Sequence, residues 1–429
     1  MNALSLSTVD KPPRRAWLSV LLWPLMAQAG PQGAQLVSGQ AVVNQSNVKG
    51  QSLTTIKQNS LKATLNWQQF NLAAGDAVNF VQPSASSVTV NRISDPNGSR
   101  ILGRLSANGQ VWLINPAGVY FGPGAQVNVG SLLASTLNLA DNTPLSQLQG
   151  AASAGKQSAS VVNEGNIRTA EGGVAVLMGA QVNNPGSISA PGGRIVLSGD
   201  KQNGSVTLSG QLDTSSTVSN TPGFVETSAA FVRIADTAKV ETRAAGGSSG
   251  EWLIDPTNFT ISSGSGTLTS SSIGASTLSS SLSSSNVSIA TDNSSGSDSG
   301  NIYLNSAVSW SAATRLTLSA YKDIYINAPI TSSNSSGKLK LLYGQGSSSG
   351  TIDSVASDYY VNAPVTLAAG NNFHTQLGSD TANLKSYQVI TSLGSKGSTT
   401  GSDLQGMNGS LTANYALGAD IDASDTKSW

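Results

Sequence analysis

A chain of 429 residues with 11% charged side chains, 23 basic against 23 acidic, offers no electrostatic footprint for nucleic acid. One His and no Cys argue against His-based triads, thiol nucleophiles and multi-His metal centres. The 45 glycines, set among abundant Ser, Thr and Asn with recurrent short apolar runs, suit strands and turns repeated many times. Disorder would need more charge and fewer aliphatic residues.

The first 29 residues read as a secretory signal. Arg14 and Arg15 precede an apolar stretch from Ala16 to Met26, and Ala27-Gln28-Ala29 follows as the small-x-small cleavage pattern. An apolar run this short, interrupted by Pro24, cannot span a bilayer, so cleavage is expected after Ala29. No transmembrane segment is expected in the mature chain, which should leave the cytoplasm. Without Cys, its stability must come from packing and backbone pairing.

The next informative element is "VWLINPAGVYFG", from Val111 to Gly122. Val111 to Ile114 reads as a strand apolar on both faces, as parallel strands covered on both sides are. Pro116 lacks an amide proton and ends the pairing, while Asn115 and Gly118 suit the turn. The core of this stretch returns as Trp252-Leu253-Ile254-Asp255-Pro256. There Glu251 should face outward, which turns Trp252 and Ile254 inward and leaves Leu253 outside. The two copies are expected to be corners built alike.

Between them the chain repeats itself. Gly165 and Gly186 recur at a spacing of 21, as do Ile167 and Ile188; Gly179 and Gly199 are 20 apart, and Gly210 to Thr214 opens a third unit. A period near 20 means stacked units whose apolar faces are buried by their neighbours. The leucine-rich spacing is missing, and helical repeats run longer and need charged helix formers. An all-β parallel β-helix remains, with Ile167, Val176, Ile188 and Val196 expected inside and in register.

From Ser262 to Gly300 the chain is rich in Ser and Gly, punctuated by Leu268, Ile273, Leu278, Leu282 and Ile289, and weakly ordered coils are expected. Then "NIYLNSAVS", "DIYINAPIT" and "DYYVNAPVT" place Asn305, Asn327 and Asn362 at equivalent strand-ending turns, where amides of successive coils can stack. The pattern reaches Trp429 with no polar cap, so the chain is expected to be the N-terminal part of a longer protein.

Residues 88 to 136, "VTVNRISDPNGSRILGRLSANGQVWLINPAGVYFGPGAQVNVGSLLAST", closely resemble the filamentous-haemagglutinin N-terminal domain of two-partner-secretion exoproteins. The hallmarks fall on Asn91-Arg92-Ile93, Ser99, Ile101, Gly103, Ala107, Gly109, Leu113, Asn115-Pro116, Gly118-Val119 and Phe121-Gly122. The family usually has Asn-Pro-Asn-Gly at the turn, where this chain has Ala117. The likeness extends upstream, and downstream to about residue 245; "GEWLIDPTNFTIS" resembles an element of the large adhesin members. The resemblance implies a right-handed parallel β-helix with an N-terminal cap and extra-helical strands. It further implies a secretion domain over 30–250, the start of a repetitive shaft over 251–429, and type V export through an outer-membrane POTRA/β-barrel transporter of the TpsB type. Asn91, Arg92, Asn115, Pro116 and Gly118 are then the residues for partner recognition.

No residue set calls for catalysis or a cofactor. His374 in "NNFHTQ" reads as a solvated loop side chain. Asp292 with Asp298, and Asp420, Asp422 and Asp425, lack the spacing of a calcium loop. "GPGAQVNVG" from Gly122 lacks the Lys and helix of a phosphate loop. Sequons at Asn97, Asn203, Asn258, Asn286, Asn334 and Asn408 are what a chain rich in Asn and Ser produces by chance. The expected function is a secreted or surface-exposed adhesin or haemagglutinin-like exoprotein, with a host-cell receptor or glycan as target. The alternative is a β-helical glycan-active enzyme or a haem-carrier-binding exoprotein of the same secretion class.

Overall fold

The computed structural model describes residues 30–150, 158–264, 270–293 and 298–429; the expected signal with Ala27 and Ala29, and also Leu268, lies outside the described residues. Short aliphatic runs ended by Gly and Asx turns wind into a parallel β-helix. On one face the strands from Lys62–Trp67 through Gln110–Ile114, Val174–Met178 and Glu251–Asp255 to Gly370–Leu377 pair in parallel, each with the next. Two further sheets, of 11 and 9 strands, close the other sides around one apolar core.

The N-terminal end is capped by antiparallel strands. β1 (Gln35–Ser38) pairs with the first strand of the large face, and β2 (Ala41–Val48) forms a hairpin with β3 (Gln51–Gln58) through Lys49 at φ 53° and Gly50 at φ 82°. That two-residue turn matches the twist of a hairpin.

Register along the large face is held by a row of glycines. Gly109, Gly130, Gly173, Gly193, Gly223 and Gly250 each precede a strand of that face. A Cβ at Gly193 would lie 2.0 Å from the carbonyl oxygen of Gly173, and one at Gly250 would lie 1.9 Å from that of Gly223. Only Gly permits so close a backbone approach.

That register corrects two expectations. Ile167 and Ile188 are interior and paired. Val176 and Val196 also pair and are fully buried, but they belong to a second apolar cluster on the outer side of the sheet. The inward residues are Ala175 and Leu177, then Ile195 and Leu197. The pleat alternates sides, and both sides are covered here, so burial does not reveal direction.

The two Trp-Leu-Ile-Asx-Pro copies are likewise not built alike. Trp252 shares a row with Val111, and Leu253 shares one with Trp112. The second copy starts one residue nearer its glycine, and a one-residue slip exchanges the two faces. Trp252 and Ile254 point into the core as expected, with Trp252 Nε1 donating to Thr227 Oγ1 at 3.2 Å. Trp112 and Ile114 point out of the coil.

The slip places Asp255 in an acidic neighbourhood. Burial first, then the charges of Asp292 and Glu226, push its carboxyl from 3.8 up to about 7. Between these values the unfolded chain ionises while the folded carboxyl keeps its proton, so stability falls as pH rises through that window. Asp255→Asn should flatten the fall and raise stability at pH 8 by on the order of 1–4 kcal/mol. Melting curves at pH 5 and pH 8 check this. An unchanged gap between the two would show that Asp255 ionises normally.

Where it is described, the Ser-rich segment forms the strand Ser272–Gly274, the helix Ala275–Ser281 and the strand Asn286–Ala290. After the strand Lys239–Glu241 ends the third face, the helix Ala275–Ser281 packs beside it and beside Val308–Trp310, where a three-stranded sheet takes over. Ile273, Leu278, Leu282 and Ile289 are all fully buried, so sparse aliphatic residues suffice to anchor the coil.

Farther on, the amide of Asn327 donates to Asn305 and that of Asn362 to Asn327, both at 2.8 Å, giving the expected ladder. Tyr303, Tyr325 and Tyr360 stack beside it at 5.0 and 4.9 Å between ring centroids. The coil pattern does not run on to Trp429. Gly370–Leu377 turns back antiparallel onto Lys385–Ile390, which pairs with Asn414–Leu417.

Candidate functional site

The Asn115 corner is a closed turn. Gly118 N–H donates to the Asn115 carbonyl at 3.0 Å, and Asn115 Oδ1 accepts Ala117 N–H at 3.0 Å. Asn115 Nδ2 donates to Ser99 Oγ at 3.0 Å, which ties the corner to the preceding coil. Gly118 has φ +122°, and a Cβ there would meet the Ser160 carbonyl oxygen at 3.1 Å. The turn uses only the backbone of residue 117, which explains why Ala serves there. Asn115 is fully buried; Pro116 and Ala117 carry the exposed tip.

Asn91 and Arg92 lie one coil earlier and face opposite ways. Asn91 is fully buried, accepts Trp67 Nε1–H at 2.9 Å and donates to the Trp112 carbonyl at 3.1 Å. Arg92 points out and holds a strap, residues 137–150, that crosses the large face. It pairs with Asp141 at 2.5 Å, donates to Leu139 O at 2.7 Å and bonds Asn138 Oδ1. Thr64 Oγ1 donates to Asp141 at 2.7 Å, and Lys62 Nζ bonds its carbonyl. Burial pushes the Asp141 carboxyl up, but the bonds from Thr64 and Arg92 and the charges of Arg92 and Lys62 outweigh it and hold the carboxyl below its ordinary range.

At the far end Gly150 N–H bonds Glu226, whose carboxylate pairs with Arg194 at 3.2 Å, and Ser198 Oγ donates to Gly150 O at 2.8 Å. The strap's Leu145 caps the outward cluster of Val90, Trp112, Leu133 and Val176. The structure thus brings the five expected residues into adjoining coils, and it employs four of them internally. Pro116 alone of the five is fully at the surface.

The resemblance implies a cap, but the open, apolar edge it presents was not read from the sequence. Leu36, Val37, Val42, Val48 and Leu61 are 46–68% exposed, and β2 has a strand partner on one side only. The alternating run around the Lys49-Gly50 turn signals a hairpin, but its position at the end of the stack is a tertiary fact. His374 also differs from expectation. It is half-buried, its Nδ1 lies 3.0 Å from Ser386 Oγ, and burial, then Lys340, Lys338 and Arg315, push its pKa down. Among the described residues no group of three His, Cys, Asp or Glu could hold a metal ion. Asp298 accepts Thr257 Oγ1–H at 2.6 Å, and Asp422 accepts Ser424 N–H at 2.9 Å.

A parallel β-helix opened by an antiparallel cap, with a corner anchored on buried Asn115 and a clamped strap, is the architecture that the family match now identifies. The chain belongs to the TPS secretion domain family, whose model matches residues 27–258. Two relatives called heme/hemopexin-binding protein, both from Haemophilus influenzae (one of them strain Rd), are 40% identical over 109 residues and 46% identical over 85. These matches cover 25% and 20% of this chain but span only 12% and 9% of the relatives' own length. The crystal structure of the HMW1 secretion domain from Haemophilus influenzae is similar at a TM-score of 0.48 and 18% identity, covering 78% of this chain and 98% of that one. Membership places the chain among exoproteins secreted by the two-partner route. No helix among the described residues is long and apolar enough to cross a membrane.

Proposed function

We propose that this chain is the export-competent part of an adhesin-type exoprotein, displayed outside the cell, and that the transporter reads its N-terminal cap together with the Pro116 corner. The observation that carries the reading is the use of side chains. Asn91, Arg92, Asn115 and Gly118 are occupied inside the fold, whereas β2 presents an open edge beside exposed Val42 and Val48. An open strand edge with apolar side chains is a template for adding a partner's strand. The boundary near residue 250 fits the change of architecture at the Ala275–Ser281 helix. A second reading, capture of a haem carrier, is favoured by the names of the relatives.

The test is a double substitution, Val42→Lys with Val48→Lys, co-expressed with the transporter. Both side chains are solvent-exposed, so melting should change by less than about 1 kcal/mol. Release into the medium should fall at least tenfold, with chain retained in the periplasm. Wild-type release of the variant would place recognition elsewhere.

A further inference from the structure

The strap does not seal the face it crosses. A cleft of about 430 Å³ remains between the loop 141–146 and the sheet. Its floor is one outward row running across successive strands, Lys62, Val88, Gln110, Ser131 and then Val174, so one end is cationic and the other aliphatic. At ~4.8 Å per strand this row is about 19 Å long.

Trp112 lines the same cleft and is the unmatched one among the deeply buried indoles. It is 2% exposed, yet its Nε1–H has no acceptor. The other deeply buried indoles are matched: Trp67 donates to Asn91, Trp252 to Thr227 and Trp310 to the Thr314 carbonyl. A buried donor without an acceptor is rare because it forfeits its hydration. Lys62 adds donors of its own. It spends one on the Asp141 carbonyl, while the Asp141 carboxylate is taken by Arg92 and Thr64. The cleft therefore offers the Lys62 ammonium at one end, with Val88 beside it, Gln110 and Ser131 in the middle, Val174 at the other end, and no free carboxylate among its described lining residues.

We propose that this cleft binds a small monocarboxylate with an apolar body, its carboxylate at Lys62 and its body along Val88 and Val174 against the Trp112 indole. Binding there would also join the strap to the sheet, since Leu145 borders the same space.

Sodium octanoate, with octylamine as the charge-reversed control, tests this on the full chain. The readout is the indole N–H resonance of Trp112, assigned by its loss in Trp112→Phe. A saturable shift with octanoate at millimolar concentration, absent with octylamine, is expected. Lys62→Met should weaken octanoate at least tenfold while leaving the melting temperature within a few degrees. No shift, an equal response to octylamine, or undiminished affinity in Lys62→Met would each overturn the proposal, and the comparison of the two probes holds even if a variant folds poorly. The measurement needs no transporter, so its failure is distinct from that of the export reading.

Discussion

Ile188→Asp should abolish the protease-resistant core. Ile188 stacks between Ile167 and Leu212 with no solvent exposure, and the described residues around it on that face are apolar. A carboxylate there must either be buried without a partner or take up a proton, and both cost at least about 4 kcal/mol. That is much of the stability of an ordinary domain. Ile188→Val, which keeps the row apolar, should cost about 1 kcal/mol. Limited proteolysis and thermal melting of the two variants decide the matter. A resistant, cooperatively melting Ile188→Asp chain would mean that this row faces solvent and that the inward assignment is wrong.

Asn115→Ala should reduce both secretion and local order. The substitution removes the acceptor of Ala117 N–H and the donor to Ser99, leaving buried polar groups unmatched, at about 1–3 kcal/mol. Asn327→Ala is the matched control. It also removes an amide that bridges coils, but an exposed one, and it lies outside the matched 27–258 region. Asp255 would not serve, because the match includes the second Trp-Leu-Ile-Asx-Pro copy. Co-expression with the transporter, comparing medium with periplasm, should show several-fold less Asn115→Ala in the medium and near-normal Asn327→Ala. Equal secretion of both would make Asn115 an ordinary corner residue, and equal loss would extend the export determinant past residue 258.

What the chain announces by itself is whatever depends on neighbours in sequence. The spacing of Gly165, Ile167, Gly186 and Ile188 sets the coil length. The Asn-Pro-x-Gly turn at 115–118 depends on backbone torsions and one side chain reaching two residues on. The Asn305, Asn327 and Asn362 ladder follows from a repeated strand-ending turn. These are legible because a solenoid reuses one local solution, so each repeat confirms the last.

Tertiary structure decided which way side chains point and what covers them. Val176 and Val196 are as apolar as the interior residues, and among the described residues the strap arriving from 137–150 covers their outward position. The Trp-Leu-Ile-Asx-Pro repeat reads as a repeated corner, yet its two copies face opposite ways, because phase is counted from the stacked glycine and not from the Trp. Gly109 to Trp112 and Gly250 to Trp252 differ by one residue. That difference was present in the sequence, but it acquires meaning only once the glycines are known to stack. The clamp of Arg92 on Asp141, the bond of Gly150 to Glu226 and the open edge of β2 join or expose residues through the winding of the chain. Pairings between segments so far apart leave no periodic trace, since their cost and gain are set by coil stacking and not by local preference.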